Sequence, residues 1–358
     1  MRVKLEDVCE KGSSNIKQSD VENLNGDYPV FGASGYLGNV NFYHQDKPYV
    51  AVVKDGAGIG RTTMHPANSS VIGTMQYLLP KENILPEYLY YVVSYMNLSK
   101  YYSGATIPHI YFKDYKNEKF SLDCLDKQRQ IVMTLDKVQS IIEKRKKQLE
   151  KLDELVKSRF IEMFGDPVEN EKGWEMIPLS ELGTCKNGMN FASDEDGIEI
   201  AYLGVGDFKD NSRIDGVSGL SQISLNTMPS EEYLLKDEDI VFVRSNGSKE
   251  LVGRCLAVYP GNEKLTFSGF CIRWRKNSDK VMTDFLLQVL KTENVRILMR
   301  GRGANIQNLN QQILGKLMIP VPNMALQQSF VEFVGAIDKS KLAIYKIKKN
   351  VLGRRLAT

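Results

Sequence analysis

The chain has 358 residues, of which 42% are hydrophobic, so it contains enough apolar material for two or three domains with their own cores. No run approaches the roughly 18 apolar residues of a membrane span, and the amino terminus lacks the apolar region of a signal peptide, so we expect a cytoplasmic protein. The net charge of +3 neither requires nor excludes nucleic acid, because a local basic face can lie on a balanced whole.

The first part of the chain is predicted to form a mixed α/β domain. Tyr49–Val53 is a run of apolar and β-branched residues followed by a glycine-rich segment, which is typical of a strand. Residues 87–96 have helical spacing of apolar side chains, and residues 120–122 are predicted to form a short strand.

The glycine-rich segment at residues 56–63 follows a strand and suggests a phosphate-binding loop. However, Asp55 precedes it and Arg61 replaces the lysine that such a loop requires, so the motif spacing fails. Two interpretations remain open: a structural turn, or a turn that allows Arg61 to approach a DNA backbone.

Residues 127–163 are predicted to form a long helix. Apolar residues recur at alternating spacings of four and three, interrupted where Arg145 and Arg159 occupy positions of the apolar seam. At 1.5 Å per residue this helix is roughly 55 Å long. Asp126 is expected to cap its start, and Gly165 is expected to end it.

The second part repeats this order of elements. Asp239–Val243 and residues 317–322 are predicted strands, residues 284–290 a helix, and residues 325–358 a second long helix with apolar residues at Phe330, Val334, Ile337, Ile344 and Val351. A lone helix with such a stripe exposes it to water, so we expect the two long helices to pack against each other, antiparallel. The alternative is that each helix packs only on its own domain.

Short matches in the same order indicate an internal repeat. Residues 104–107 (Gly-Ala-Thr-Ile) recur as Gly-Ala-Asn-Ile at 303–306, and Gln128 recurs as Gln327, in both cases 199 residues later. Residues 3–8 resemble residues 177–182 at a smaller offset, so the second half carries about 25 extra residues. We therefore predict an α+β protein with two mixed α/β domains in tandem repeat and two long helices packed as an antiparallel coiled coil: domains at 1–126 and 164–324, helices at 127–163 and 325–358.

Two segments resemble the specificity subunit of type I DNA restriction-modification systems. One is the frame Gly104-Ala105-Thr106 followed by Leu125-x-x-Gln128-x-x-Ile131-Val132. The other is the run Gln-Leu-Glu-Lys-Leu-Asp-Glu-Leu-Val-Lys-Ser-Arg-Phe-Ile-Glu-Met-Phe-Gly-Asp-Pro at 148–167. The resemblance covers nearly the whole chain in domain order. The carboxyl-terminal copy departs from it, because residues 350–353 do not reproduce the Lys-Leu-Asp-Glu-Leu pattern.

The resemblance implies a DNA-recognition scaffold without catalysis. Each target-recognition domain then reads one half of a bipartite, asymmetric site in double-stranded DNA, and the helices set the unread spacer. The helices also bind two adenine methyltransferase subunits, which motor-nuclease subunits join in systems that restrict. The chain itself needs no cofactor, because S-adenosylmethionine, ATP and Mg²⁺ belong to those partners. Since the two halves differ in sequence, the two half-sites are expected to differ.

Motifs for catalysis or metal binding are missing from the sequence. It has no Asn-Pro-Pro-Tyr or Asp-Pro-Pro-Tyr run of the kind found in amino-methyltransferases, and its three histidines and five cysteines occur singly, which favours reduced cytosolic thiols over a metal site. Two other classes of function stay open: an enzyme with an unrecognised catalytic site, and a coiled-coil assembly protein that binds no nucleic acid.

DNA contacts are predicted from residue type and position. Arg, Lys, Asn and Gln read base edges, and Arg, Lys and backbone amides bind phosphates. The glycine-rich segment 300–305 is the strongest candidate, because it carries two guanidinium groups; the alternative is a solvated basic turn. The predicted contacts are Lys54, Arg61, His109, Tyr111 and Lys113 in the first half and Arg244, Asn246, Lys249, Arg254, Arg300, Arg302, Asn305 and Asn308 in the second.

Overall fold

The computed structural model describes residues 1–22, 25–56, 58–104, 108–191, 195–209, 211, 213–248, 250–300 and 308–353, without the side chains of residues 22, 300 and 345–353. It divides into two compact units, Met1–Lys144 and Arg145–Thr358, which are considered separately below. Among the described residues, no helix is long and apolar enough to cross a membrane.

The first unit contains three antiparallel or mixed sheets. Strands β1 and β9 form a pair, β2-β8-β5-β6 form a four-stranded antiparallel sheet, and β4-β3-β7 form a three-stranded sheet in which β3 and β7 are parallel. The strands are β1 (Arg2–Lys4), β2 (Cys9–Ser13), β3 (Tyr28–Gly32), β4 (Gly35–Val40), β5 (Tyr49–Val53), β6 (Thr62–His65), β7 (Ser70–Val71), β8 (Met75–Pro80) and β9 (Lys119–Ser121).

The predicted strand at Tyr49–Val53 is confirmed as β5, and all five of its residues are buried. The predicted helix at 87–96 is α3, one residue earlier at each end. The helices of this unit are α1 (Leu5–Val8), α2 (Gln18–Glu22), α3 (Pro86–Tyr95) and α4 (Phe112–Tyr115), and α5 (Leu125–Phe164) begins here.

The second unit repeats this topology and adds one strand. Its five-stranded sheet has the order β11-β18-β15-β16-β13, its three-stranded sheet β14-β12-β17, and β10 pairs with β19. The strands are β10 (Glu175–Pro178), β11 (Gly183–Asn187), β12 (Ile198–Leu203), β13 (Arg213–Asp215), β14 (Gln222–Leu225), β15 (Asp239–Val243), β16 (Cys255–Tyr259), β17 (Leu265–Phe267), β18 (Cys271–Lys276) and β19 (Met318–Val321).

Strand β13 has no counterpart among the described strands of the first unit. It lies at the sheet edge, parallel to β16. The predicted strands at Asp239–Val243 and 317–322 are confirmed as β15 and β19. The helices are α6 (Leu179–Leu182), α7 (Thr283–Lys291), α8 (Glu293–Arg300), α9 (Gln311–Gly315) and α10 (Met324–Gly353).

The internal repeat has a clear structural basis. Residues 3–8 and 177–182, which match in sequence, each form the end of a strand followed by one helical turn, α1 or α6, whose apolar side chains are buried. Each of these strands pairs antiparallel with the strand that precedes a long helix, β1 with β9 and β10 with β19.

Gln128 and Gln327 fix the start of the two long helices in the same way. The buried Gln128 amide accepts a hydrogen bond from the backbone of Leu85 (2.9 Å) and donates to the carbonyls of Asn83 (3.0 Å) and Asp123 (2.9 Å). The Gln327 amide accepts from the backbone of Met282 (2.9 Å) and donates to the carbonyls of Lys280 (2.9 Å) and Pro322 (2.8 Å). Each glutamine thus ties its long helix to the start of a domain helix, α3 or α7.

Within the second unit the two long helices run antiparallel. Phe330 of α10 packs on Phe160 and Phe164 of α5, at ring-centroid distances of 5.5 and 5.4 Å. Further along, Lys341 of α10 forms an ion pair of 2.6 Å with Asp153 of α5. From Phe330 to Lys341 the contacts move towards the carboxyl end of α10, and on α5 they move towards its amino end. The predicted antiparallel packing is therefore confirmed. The predicted seam residue Val351 has no described side chain.

Two details of the long-helix prediction were wrong. Asp126 does not cap α5, since the helix begins at Leu125 and the Asp126 carboxylate accepts from Arg129 at 2.6 Å within the first turn. At the end of the seam Phe160 is buried and its neighbour Arg159 is only half-buried, because this part of α5 also packs on Phe285 of the globular domain. The predicted stop is confirmed, as Gly165 has a φ of 74° directly after the last helical residue.

His65 makes the first unit sensitive to acid. Its ring is buried against Tyr49, its Nε2 lies 2.8 Å from Thr63 Oγ1, and its Nδ1 has no hydrogen-bond partner among the described residues. Burial lowers the pKa of His65 from 6.5 to about 4. Protonation therefore opposes folding, so this contribution to stability is complete above about pH 6.5 and is lost as the pH falls towards the folded pKa.

We expect acidification from about pH 7 to about pH 4 to remove up to about 3 kcal/mol of stability through this one residue. His65→Gln keeps a polar side chain but cannot titrate, so it should lose less stability over the same range. Urea unfolding followed by circular dichroism at several pH values measures the difference between the two proteins. Parallel pH profiles for both would show that His65 does not carry the effect.

Candidate nucleic-acid interface

In the first unit, four of the five predicted contact residues lie at the end of β5. The segment that follows Pro108 returns to this end, where the Ile110 amide donates to the Lys54 carbonyl at 2.9 Å and Gly56 donates to the Pro108 carbonyl at 3.0 Å. This pairing places Lys54 next to a short surface segment that carries the other three predicted side chains, His109, Tyr111 and Lys113.

These side chains form one polar and aromatic cluster. His109 Nδ1 lies 2.6 Å from Asp55 Oδ1, and its ring stacks on Tyr111 with 6.4 Å between centroids. Lys113 Nζ lies 5.2 Å above the Tyr111 ring, and Tyr111 is 49% exposed. The cluster therefore offers an exposed aromatic face, a cation and a hydrogen-bonding imidazole, which are the groups that contact phosphates and base edges. The role of Asp55 was not predicted, because in the sequence this residue stands out only as a departure from a phosphate-loop motif.

Arg61 is turned away from this cluster. Its guanidinium donates to the Ala33 carbonyl at 2.9 Å, and Gly60 before it has a φ of 79°. A Cβ at Gly60 would lie 2.5 Å from the Ser99 amide nitrogen, so the turn requires glycine. Of the two interpretations of segment 56–63, the structural turn accounts for these contacts.

The second unit presents a corresponding cluster at the end of β15. The Leu309 amide donates to the Arg244 carbonyl at 2.8 Å, as the Ile110 amide does to the Lys54 carbonyl in the first unit. Ser245 and Asn308 form an isolated antiparallel β-bridge, as Asp55 and His109 do in the first unit. The same backbone arrangement therefore carries different side chains in the two units.

A shallow pocket of about 200 Å³ lies in this second cluster. It is lined by Ser245, Asn246, Gly247, Phe270 and Asn308. Phe270 is 60% exposed, and the Asn246 amide oxygen accepts from the Ser248 backbone at 2.8 Å. Arg244 lies beside the pocket and donates to the Gly269 carbonyl at 3.3 Å. Phe270 was not predicted, because its only signal in the sequence is a large aromatic residue between a Ser-Gly turn and a strand.

Among the remaining predicted residues, the structure describes only the side chain of Arg254, which does not line this pocket. Arg254 donates to the carbonyl of Phe208 at 3.3 Å and lines a separate cavity. Lys249, Arg302 and Asn305 lie outside the described residues, as does the side chain of Arg300. The predicted basic loop at 300–305 therefore stays a prediction.

The family can be identified from the sequence as a whole. Residues 1–152 and 171–354 match the family model described as type I restriction modification DNA specificity domain, so the chain belongs to this family and contains two copies of the domain. The resemblance inferred from residues 148–167 is confirmed.

Curated relatives agree with this assignment. The specificity subunit of the type I restriction enzyme StySPI from Salmonella potsdam is 27% identical over 300 residues, which cover 77% of this chain and 64% of that protein. The MjaVIII specificity subunit from Methanocaldococcus jannaschii is 26% identical over 315 residues, or 78% of this chain and 71% of that protein. The chain thus spans less than two thirds of the length of the Salmonella relative.

Solved structures share the fold. The S subunit of a type I restriction-modification system from M. genitalium aligns with a TM-score of 0.59 and 16% identity, covering 100% of this chain and 94% of that one. A chain from a structure of type I system assembly and conformational transition aligns with a TM-score of 0.54 and 14% identity, covering 99% and 95%. At these identities the likeness concerns the fold alone.

Proposed function

We propose that this chain is the DNA-recognition scaffold of a type I restriction-modification complex and reads a bipartite, asymmetric site in double-stranded DNA. The domains at 1–126 and 164–324 each read one half-site, through the clusters at the ends of β5 and β15. The observation that carries this proposal is the shared backbone arrangement of these clusters with different side chains. One fold used twice with different contacts is what an asymmetric site requires.

The helices at 127–163 and 325–358 set the spacer between the half-sites. Two grooves separated by a half-turn to a turn of B-DNA need a rigid spacer of tens of ångströms, since the helical repeat is about 34–36 Å. The 40-residue helix α5 supports this role. We further propose that the long helices bind two adenine methyltransferase subunits, and motor-nuclease subunits where the system restricts.

Catalysis belongs to these partners, and the chain acts in the cytoplasm as a non-catalytic subunit. Within the chain, the DNA contacts are Lys54, His109, Tyr111 and Lys113 in the first domain and Arg244, Asn246 and Asn308 in the second, together with Lys249, Arg300, Arg302 and Asn305. Arg61 and Arg254 are not included, because the Arg61 guanidinium reaches Ala33 between β3 and β4 and Arg254 lines a separate cavity, so neither side chain joins these clusters.

Arg244→Ala tests the second cluster. If Arg244 reads a base, the variant should lose about 1–3 kcal/mol of binding at one base pair of the second half-site; if it binds a phosphate, affinity should fall for all sequences and the salt dependence should flatten. Fluorescence anisotropy of the assembled complex on duplexes that carry single substitutions in its methylation motif distinguishes the two.

The matched control is Arg159→Ala, an arginine of the same unit whose guanidinium pairs with Glu162 on the surface of α5. It should bind DNA like the wild type. Unchanged affinity and motif in Arg244→Ala, with an unchanged thermal unfolding midpoint, would remove the end of β15 from the interface.

A further inference from the structure

The second unit contains a cavity of about 630 Å³ that the DNA-recognition proposal does not use. One wall comes from the globular domain around Arg254 and includes the additional strand β13; its other residues in this region are Phe208, Lys209, Asn211, Arg213 and Asp215. The other wall comes from Leu149 and Asp153 of α5 and Asp338 to Leu342 of α10. The cavity thus depends on an element that the first unit lacks among its described strands.

Basic side chains dominate the lining. Three aspartates, Asp153, Asp215 and Asp338, face a larger set of cations, namely Lys209, Arg213, Arg254, Lys291, Arg296 and Lys341. Because the described lining holds six basic groups and only three acidic ones, it favours a ligand with several negative charges.

The aspartates are already engaged by two of these cations. Arg213 Nε donates to Asp215 at 2.8 Å, and Lys341 Nζ lies 2.6 Å from Asp153 and 3.5 Å from Asp338. Of the remaining cations, Arg254 and Lys291 form no ion pair with the described acidic residues.

Arg254 is one of these cations. Its guanidinium donates to two backbone carbonyls, those of Phe208 at 3.3 Å and Lys209 at 3.4 Å, and forms no ion pair with the described acidic residues. Backbone carbonyls hold the guanidinium in place without cancelling its charge, so its remaining N–H groups are available to an anion.

Lys291 is the second. It is half-buried at the end of α7, and its ammonium has no ion pair or hydrogen bond with the residues that the structure describes. Burial lowers the pKa of Lys291, an effect that the nearby Asp338 partly offsets and the neighbouring Lys341 reinforces. A bound anion would stabilise the charged form of this lysine, which its present surroundings penalise.

We propose that this cavity binds a small anion with several phosphate groups, such as an inorganic oligophosphate or the phosphate chain of a nucleotide. Its volume lies within the range of about 300–1,000 Å³ found for small-molecule sites. Guanidinium groups bind phosphate oxygens in bidentate geometry, and lysine ammonium groups add point charges. A DNA duplex, whose major groove alone is about 12 Å wide, is too large to enter a cavity of this volume.

Isothermal titration of the full chain with inorganic tripolyphosphate tests the proposal. We expect one saturable site, and Lys209→Gln and Lys291→Gln should each weaken binding by roughly tenfold or more, since each removes a charged donor to the anion. Lys209 is exposed, so its replacement should leave the fold intact. The matched control Lys280→Gln removes an exposed lysine of the same unit that does not line the cavity and should bind like the wild type.

A second titration in the presence of a short DNA duplex distinguishes the source of the phosphates. Tripolyphosphate should bind equally well with and without the duplex if the site takes a small free anion. Displacement by the duplex would instead assign these cations to the DNA backbone and overturn the proposal. So would the lack of a saturable site, or equal weakening by Lys280→Gln.

Discussion

Gln327→Leu is expected to lower the free energy of unfolding of the second unit by about 3 kcal/mol. Leucine fills the same space but leaves one backbone amide, that of Met282, and two carbonyls, those of Lys280 and Pro322, without their buried partner. Each buried polar group left unsatisfied costs about 1–3 kcal/mol, which exceeds what the added apolar burial returns.

Tryptophan fluorescence during urea unfolding isolates this unit, because both tryptophans of the chain, Trp174 and Trp274, lie in it. The matched control is Gln328→Leu, one residue later on the exposed side of α10, which should change stability by no more than about 0.5 kcal/mol. Gln128→Leu should produce a comparable loss of stability in the first unit, which circular dichroism during urea unfolding measures. Equal stabilities of the Gln327 and Gln328 variants would show that the buried amide does not anchor the helix.

Phe330→Ala should destabilise the second unit by about 3–5 kcal/mol. The Phe330 ring is fully buried between Phe160 and Phe164 of α5, so its removal leaves a cavity where the two long helices meet the domain core. Met324→Ala, at a 46% exposed position of the same helix, is the control and should have little effect. Urea unfolding measured by tryptophan fluorescence again gives the values.

A double-mutant cycle tests the contact itself. The coupling between Phe160→Ala and Phe330→Ala should be about 0.5–1.5 kcal/mol if these rings pack edge to face across the antiparallel pair. Strict additivity would mean that each helix packs on the domain independently, which is the alternative that the sequence left open.

The strands at Tyr49–Val53 and Asp239–Val243 were predictable because their signal is local. Every residue of both strands is buried, so their apolar side chains report burial directly. The repeat was predictable for a related reason. Gln128 and Gln327 each make the same three hydrogen bonds to backbone groups, which an apolar residue cannot make.

The direction of a long side chain depends on distant parts of the chain and could not be predicted. Arg61 and Arg254 lie in the similar runs Ile-Gly-Arg-Thr at 59–62 and Val-Gly-Arg-Cys at 252–255, and both have the charge expected of a DNA contact. Yet each donates to the carbonyl of a residue more than 25 positions away, Ala33 or Phe208. The charge of an arginine is known from the sequence, but the carbonyl that orients its side chain is known only from the fold.

The same limit explains the end of the helical seam. Heptad spacing predicts only the side chains that face a partner helix, and by that spacing Arg159 occupies a position of the seam. Phe160 is buried instead because Phe285, which belongs to the globular domain, packs on the same side of α5.

Exchanging residues 1–126 for the first domain of another specificity subunit, followed by methylome sequencing of cells that also carry the partner subunits, tests the central claim most directly. If each domain reads its own half-site, the first half of the methylated motif should change to that of the donor, while the second half stays the same. A change in both halves, or in neither, would contradict independent reading by the two domains.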